Sequence, residues 1–136
     1  MPKQSGLGWT TLSVDDSGGT VRDIRNDVTT MNFATPRAVQ EITGVDKLAI
    51  ERLLLLADFS VDFTGVFDPT ATTSSHAVFK TVPSTSVPRT VTLTVGGVTL
   101  ARETLFTDYA LTRTDKGELT WKAPGVLADG NVPTWA

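Results

Sequence analysis

From Asp58 to Thr64 the sequence alternates without interruption. Phe59, Val61 and Phe63 share one parity, and Asp58, Ser60, Asp62 and Thr64 share the other. Period two at this length is the mark of a strand with one buried and one wet face. Directly before it stand four consecutive leucines, Leu53, Leu54, Leu55 and Leu56. A strand sends only every second residue into a core, so part of this run must face outward. Burying a leucine contributes about 1.5–3 kcal/mol, so leucines stranded in water favour a partner surface. The same stretch carries the charge imbalance. Residues 37–68 hold three cations (Arg37, Lys47, Arg52) against six carboxylates (Glu41, Asp46, Glu51, Asp58, Asp62, Asp68), which equals the net −3 of the whole chain. A solvated acidic face is the simplest account of that excess.

The flanking sequence is also β-rich. Val91, Leu93 and Val95 alternate with threonines up to Gly96-Gly97, and Val98 and Leu100 resume beyond it, which spells a hairpin with a two-residue turn. Leu105, Tyr109 and Leu111 fall on the opposite parity from Leu100, and a bulge between Ala101 and Thr104 would explain the slip. Asp115-Lys116-Gly117 turns the chain into a strand carrying Leu119, Trp121 and Ala123. Residues 28–33 have strand composition, and Pro36 stops them. Residues 39–43 read as a strand, 44–49 as a turn and 50–67 as one long strand. Strong helix formers over 46–57, behind a Thr43/Asp46 pair resembling a capping box, keep a helix open there. Residues 70–75 read as a polar loop in which Ser74 or Ser75 caps a short helix reaching about Val82. Residues 1–20 read as a flexible arm, lightly anchored by Trp9 and Leu12, and 124–136 as a tail whose Trp135 hints at docking. The expectation is one domain over 1–136. It is mainly β, an antiparallel β-sandwich or partly closed β-barrel with one short flanking α-helix and extended loops and termini.

Candidate chemistry is sparse. No cysteine is present, so a disulfide, a thiolate metal site and a cysteine nucleophile are excluded together. The one histidine, His76, lies in a Ser-rich loop without a triad's spacing and reads as a surface residue. Residues 15–19, DDSGG, lack the terminal acid of a calcium loop. Asp58 and Asp62 would stand roughly 13 Å apart on one strand, too far for a glycosidase pair. No basic cluster suggests a grip on nucleic acid. Residues 1–9 have no apolar signal-peptide core, and no window reaches the length of a membrane span. The chain is therefore expected to be made and used without Sec export, and to be no enzyme, with no metal and no cofactor.

Three segments together resemble the major tail tube proteins of long-tailed bacteriophages: EITGVDKLAIERLLLLADFSVDFTGVFD (41–68), SSHAVFK (74–80) and LFTDYALTRTDKGELTWKAPGVLADG (105–130). The shared pattern is a TG strand end, a linker and D-x-S-V-x-x-x-G-V-F-D. A short helix and a hairpin follow, and then G-x-L-x-W-x-A-P. The resemblance implies a structural virion protein, made in the host cytoplasm. It would assemble with itself into hexameric rings stacked as a tube, through which genomic DNA passes. Tape-measure and tail-terminator proteins are its implied partners, and membrane insertion is not. The family's connecting hairpin, here residues 44–56, would reach a neighbour, making Leu48, Ile50, Leu53, Leu54, Leu55 and Leu56 the interface. Asp58 and Asp62 would face an acidic lumen, where they repel phosphates. The leucines are expected to serve the core as well. A tail terminator or decoration protein, or a carbohydrate-binding β-sandwich, is the alternative.

Overall fold

The computed structural model describes residue 3 and residues 5–70 and 74–136; the centre of the expected polar loop, 71–73, lies outside the described residues. Among the described residues ten strands and one helix follow in chain order: β1 Thr11–Asp15, β2 Val21–Asp23, β3 Val28–Ala34, β4 Arg37–Glu41, β5 Arg52–Ala57, β6 Ser60–Val66, α1 Ser75–Phe79, β7 Arg89–Val95, β8 Val98–Phe106, β9 Ala110–Arg113 and β10 Leu119–Leu127. Eight strands form one antiparallel sheet in the order β2-β1-β7-β8-β10-β6-β3, with β9 added on β10, and β4-β5 is a separate two-stranded hairpin. The path is open, yet its ends β2 and β3 are joined by only residues 24–27. Five peptide steps span no more than about 17 Å, so the sheet must curl until its ends nearly meet. The result is the expected mainly β, partly closed architecture.

The inward parity of both halves fills the enclosed core. Leu12, Val14, Val91, Leu93 and Leu100 come from one half, and Val61, Phe63, Trp121 and Ala123 from the other, with Phe59 just before β6; all are buried. α1 closes the side. A five-residue helix is unstable alone, and three devices hold this one. The Ser74 hydroxyl caps Ala77 N–H at 3.4 Å, and the buried Asp27 carboxylate accepts from Ser75 N–H at 2.7 Å. Phe79 packs between Phe106, Tyr109 and Trp121, with ring centroids 4.9–5.8 Å away. The buried Arg89 guanidinium adds a tie from β7, donating to Val78 C=O at 3.0 Å and Thr81 Oγ1 at 2.9 Å.

Several expectations need correction. The long strand over 50–67 is two strands, β5 and β6, broken at Asp58-Phe59. There the Asp58 N–H turns back to Pro36 C=O at 2.8 Å, while the Asp58 carboxylate accepts from Phe59 N–H at 2.7 Å. No helix forms over 46–57. The Thr43 hydroxyl bonds Glu51 N–H at 2.9 Å across the loop, so the Thr43/Asp46 pair caps nothing. The bulge expected between Ala101 and Thr104 is absent, since β7 and β8 pair without a slip from Val95↔Val98 to Arg89↔Thr104. Thr104 takes the buried position and Leu105 faces out. The irregularities lie elsewhere, at Thr29 in β3 and opposite Ala38 in β5. The helix ends at Phe79, and turns carry the chain on through Thr85.

β10 also runs straight through Pro124. Its partner on one side changes there from β9 (through Lys122) to β8 (from Gly125). The Pro124 carbonyl accepts from Thr107 N–H at 3.1 Å in this gap, so the missing proline N–H points where no ladder bond is due.

Tyr109 sits in the aromatic cluster, and its hydroxyl lies 3.1 Å from His76 Nδ1. His76 is thus half-buried against Tyr109 and Phe67 rather than an ordinary surface residue. Burial, aided by the Asp27 charge, pushes the Tyr109 phenol up to about 12. A phenol raised on folding contributes stability that is full below its unfolded pKa of about 10 and is lost as pH rises through the folded value. The chain has one tyrosine. Ultraviolet titration should therefore give a midpoint near 12 when folded, falling to about 10 in denaturant. A folded midpoint near 10 would mean that the ring is exposed.

Candidate assembly surfaces

The β4-β5 hairpin leaves the sheet between Pro36 and Asp58 and pairs only with itself. Val39 stands opposite Leu54, Gln40 opposite Leu53 and Glu41 opposite Arg52. Two residues of β5, Leu55 and Leu56, then oppose Ala38 alone, which is the geometry of a bulge. Its freed Leu55 carbonyl is held by the Arg37 side chain, from Nε at 3.1 Å and Nη2 at 2.8 Å. None of the four leucines joins the core: their exposure runs from 37% at Leu55 to 85% at Leu56. Leu48 and Ile50, in the loop, are exposed too, as are Val39, Ile42 and Val45. A two-stranded hairpin is marginal in water by itself. This one carries apolar residues on both faces, so the core half of the leucine expectation fails and the partner half becomes the question.

Asp58 and Asp62, expected on one face, are separated by the strand break. Asp58 is at the hairpin root, in a hollow with Pro36, Arg37, Ala38, Leu56 and Ala57. Asp62 lies on the outer face of β6, in a groove with Asn32, Ser60, Asp108, Lys122 and Pro124. Lys122 Nζ is 3.4 Å from Asp62 Oδ2, so that carboxylate is already partly offset. The acidic excess of residues 37–68 is not gathered on β6. Glu41, Asp46 and Glu51 belong to the hairpin, and only Asp62 lies within β6.

Several backbone edges among the described residues were not legible in the residue pattern. β3 pairs only with β6 and β9 only with β10, so each presents one unpaired edge. These edges bound the face that carries Asp62. The exposed side of β8 is different. Ala136 exchanges two backbone bonds with Thr99, both 2.8 Å, Trp135 pairs with Leu100, and the indole packs 6.0 Å from Phe33. The docking hinted at by Trp135 is thus on its own domain, where it covers an edge that would otherwise invite pairing.

Among the described residues no group of three or more His, Cys, Asp or Glu side chains could hold a metal. The DDSGG turn is organised internally: Asp16 Oδ1 accepts from Gly18 N–H at 2.9 Å and Thr20 N–H at 3.0 Å, and Oδ2 from Arg22 Nε at 3.1 Å. These bonds hold the Asp16 carboxyl below its ordinary range, the Thr20 N–H foremost. No helix among the described residues is long and apolar enough to cross a membrane.

No family model and no curated protein sequence matches the chain. Solved structures do. A chain from the tail of an empty gene transfer agent particle, determined by helical refinement with C6 symmetry, superposes with a TM-score of 0.72 at 15% identity, covering 98% of this chain and 99% of that one. A chain from the virion of the native gene transfer agent particle gives 0.69 at 13% identity with the same coverage. Hcp1 from the E. coli EAEC 042 pathovar overlays only loosely, with a TM-score of 0.40 at 14% identity over 93% of this chain and 95% of that one. From end to end, the fold is that of a chain found in a six-fold helical tail.

Proposed function

We propose that the protein is the structural subunit of a phage-type tail tube, built into the virion after synthesis in the host. Copies close into six-membered rings, and the rings stack into a channel for the genome. The observation that carries this reading is the hairpin, an apolar element too exposed for a monomer, on a fold shared with a tail chain. Its interface residues are Leu48, Ile50, Leu53, Leu54, Leu55 and Leu56. The free edges of β3 and β9 supply lateral pairing, because main-chain bonds to a neighbour's strand would continue the sheet around the ring. A head-to-tail contact that closes at six gives a ring, and an axial contact that does not close gives a tube.

On this reading the face between those edges lines the channel. Its threonines, Asn32 and Ser60 offer phosphates no cation, and Asp62 offsets Lys122, while Asp58 and Asp108 add negative charge at the margins. DNA then slides instead of sticking. A length-setting protein inside the channel and a terminating ring at its end are the further partners. Electron microscopy of the purified protein tests all of this. Hollow six-fold tubes whose reconstruction places Asp62 on the inner wall are expected. Persistent monomers would overturn the assembly reading, and tubes with Asp62 on the outer wall would overturn the lining.

A further inference from the structure

On one side β8 is paired with β7 from Val98 to Thr104. On the other, among the described residues, β10 accompanies it only over 104–106. In an antiparallel ladder alternate residues send their main-chain groups to the same side. Beyond the overlap with β10, the outward carbonyls are therefore those of Glu103, Ala101 and Thr99. Each is taken within the chain. Ala128 N–H donates to Glu103 C=O at 3.0 Å, and Arg102 Nε to Ala101 C=O at 2.6 Å. Ala136 N–H donates to Thr99 C=O at 2.8 Å, and Thr99 N–H returns a bond of the same length. The tail thus leaves β8 after Ala128 and turns at Asp129, whose Oδ1 accepts from Asn131 N–H at 3.0 Å. It comes back to the far end of the strand, where Trp135 pairs with Leu100.

The molecule treats its edges in two ways. β3 and β9 are left bare among the described residues, whereas β8, longer than either, is shut. A bare edge accepts another chain's strand through main-chain bonds, which are the same for every sequence. A copy captured at β8 would lie off the line through β3 and β9 along which a ring closes. The strap that prevents this is lightly held. Its far end rests on the Thr99–Ala136 bonds, the Leu100 pairing and the Trp135 indole 6.0 Å from Phe33, with Trp135 still 48% exposed.

We propose that residues 133–136 are an edge guard, a blocking contact within the subunit that denies β8 to the free strand edges of a second copy and confines pairing between copies to β3 and β9. This rests on the tube reading above for the edges that must stay open, and it adds one that must stay shut.

Trp135→Asp with Ala136→Pro opens the strap in the full-length chain, because it removes the ring contact and the N–H that reaches Thr99. Thr99→Pro is then added to shut the edge by other means. Both backbone groups of Thr99 go to Ala136, so it faces Thr94 of β7 as a non-hydrogen-bonded pair, with the two hydroxyls 2.9 Å apart. A proline there deletes a strap-side donor and no ladder bond to β7. Each variant is first shown to melt cooperatively in dilute solution. By negative-stain microscopy the strap-open variant should lose most of the parent's tubes to irregular oligomers, and adding Thr99→Pro should bring the tubes back. A strap-open variant that forms normal tubes overturns the guard. So does one that has no cooperative melt, since the tail would then belong to the core. Irregular oligomers that Thr99→Pro leaves unrelieved overturn it too, because a tail that merely stabilised the fold would not be replaced by a second lesion. A parent that stays monomeric, beside a strap-open variant that associates until Thr99→Pro is added, overturns the tube reading and supports the guard. Parent and strap-open variant both monomeric overturn the two together.

Discussion

Leu54→Asp together with Leu56→Asp should leave the monomer folded and abolish tube assembly. Both leucines are exposed, Leu54 beside Val39 and Leu56 in the bulge, and neither touches the core. Surface substitutions of this kind change stability within about 0.5 kcal/mol. Assembly is another matter. Each leucine buried at a contact contributes about 1.5–3 kcal/mol, and a desolvated carboxylate without a partner adds a further cost. Losing two leucines therefore weakens each contact by about a hundredfold to ten-thousandfold. Six-fold rings repeat that loss at every subunit. Size-exclusion chromatography and negative-stain images should show monomers at concentrations where the parent forms tubes, and below the parent's assembly threshold the two should melt at the same temperature. If the variant still assembles, the hairpin is not the interface. If its melting temperature collapses, the hairpin is part of the core after all. The bulge puts Leu53, Leu55 and Leu56 on the Gln40–Ala38 face and Leu54 on the Val39 face, so comparing Leu54→Asp alone with Leu53→Asp plus Leu55→Asp tells which face meets the neighbour.

The leucine run announced itself because its apolar content exceeded what one strand face can bury. The β7-β8 hairpin was equally plain, since Gly96 and Gly97 both take positive φ, 60° and 82°, as that turn demands. Three features misled, each for a physical reason. The break between β5 and β6 falls at Asp58-Phe59, where no glycine or proline marks it. The turn is made instead by a carboxylate accepting from the next N–H and by a bond back to Pro36. Leu105 broke the parity of β8 and suggested a bulge, but apolar residues make up much of any protein's surface, and one on a strand need not point inward. Pro124 looked like a terminator because pairing on both sides of a strand cannot be read from one segment. What remained illegible were approaches between distant segments. Arg89 reaching under α1, the Trp135 segment covering β8, and the cleft lined by Trp9 and Met31 each depend on residues far apart in sequence.

Gly65→Ala should be the most damaging single methyl in the chain. In the D-x-S-V-x-x-x-G-V-F-D stretch this glycine sits in β6 opposite Val28, next to the bulge that admits Thr29. A Cβ there would lie 1.7 Å from the Asp27 carbonyl oxygen, 2.8 Å from its carbon and 3.0 Å from Trp121 Nε1. The obstacle is backbone on one side and a buried indole on the other, so no flexible side chain can yield. Asp27 would have to retreat, and its carboxylate would then release Ser75 N–H at the start of α1. Overpacking usually costs about 1–3 kcal/mol, and moving backbone together with a helix tie puts this case at or above the upper end. At roughly 3–5 °C per kcal/mol for a domain of this size, the melting temperature should fall by about 10 °C or more. Gly18→Ala is the matched control. Its added methyl meets only Asp16 Oδ1, at an ordinary 3.5 Å, without a positive φ. That variant should melt within about 2 °C of the parent, since a surface change without a clash is worth about 0.5 kcal/mol at most. Both variants are to be compared as monomers, below the assembly threshold, because polymerisation would add apparent stability by mass action. A Gly65→Ala protein melting as close to the parent as its control would show that the β2–β3 corner does not lie against β6. The curled sheet described here would then be wrong at the point where its two ends come together.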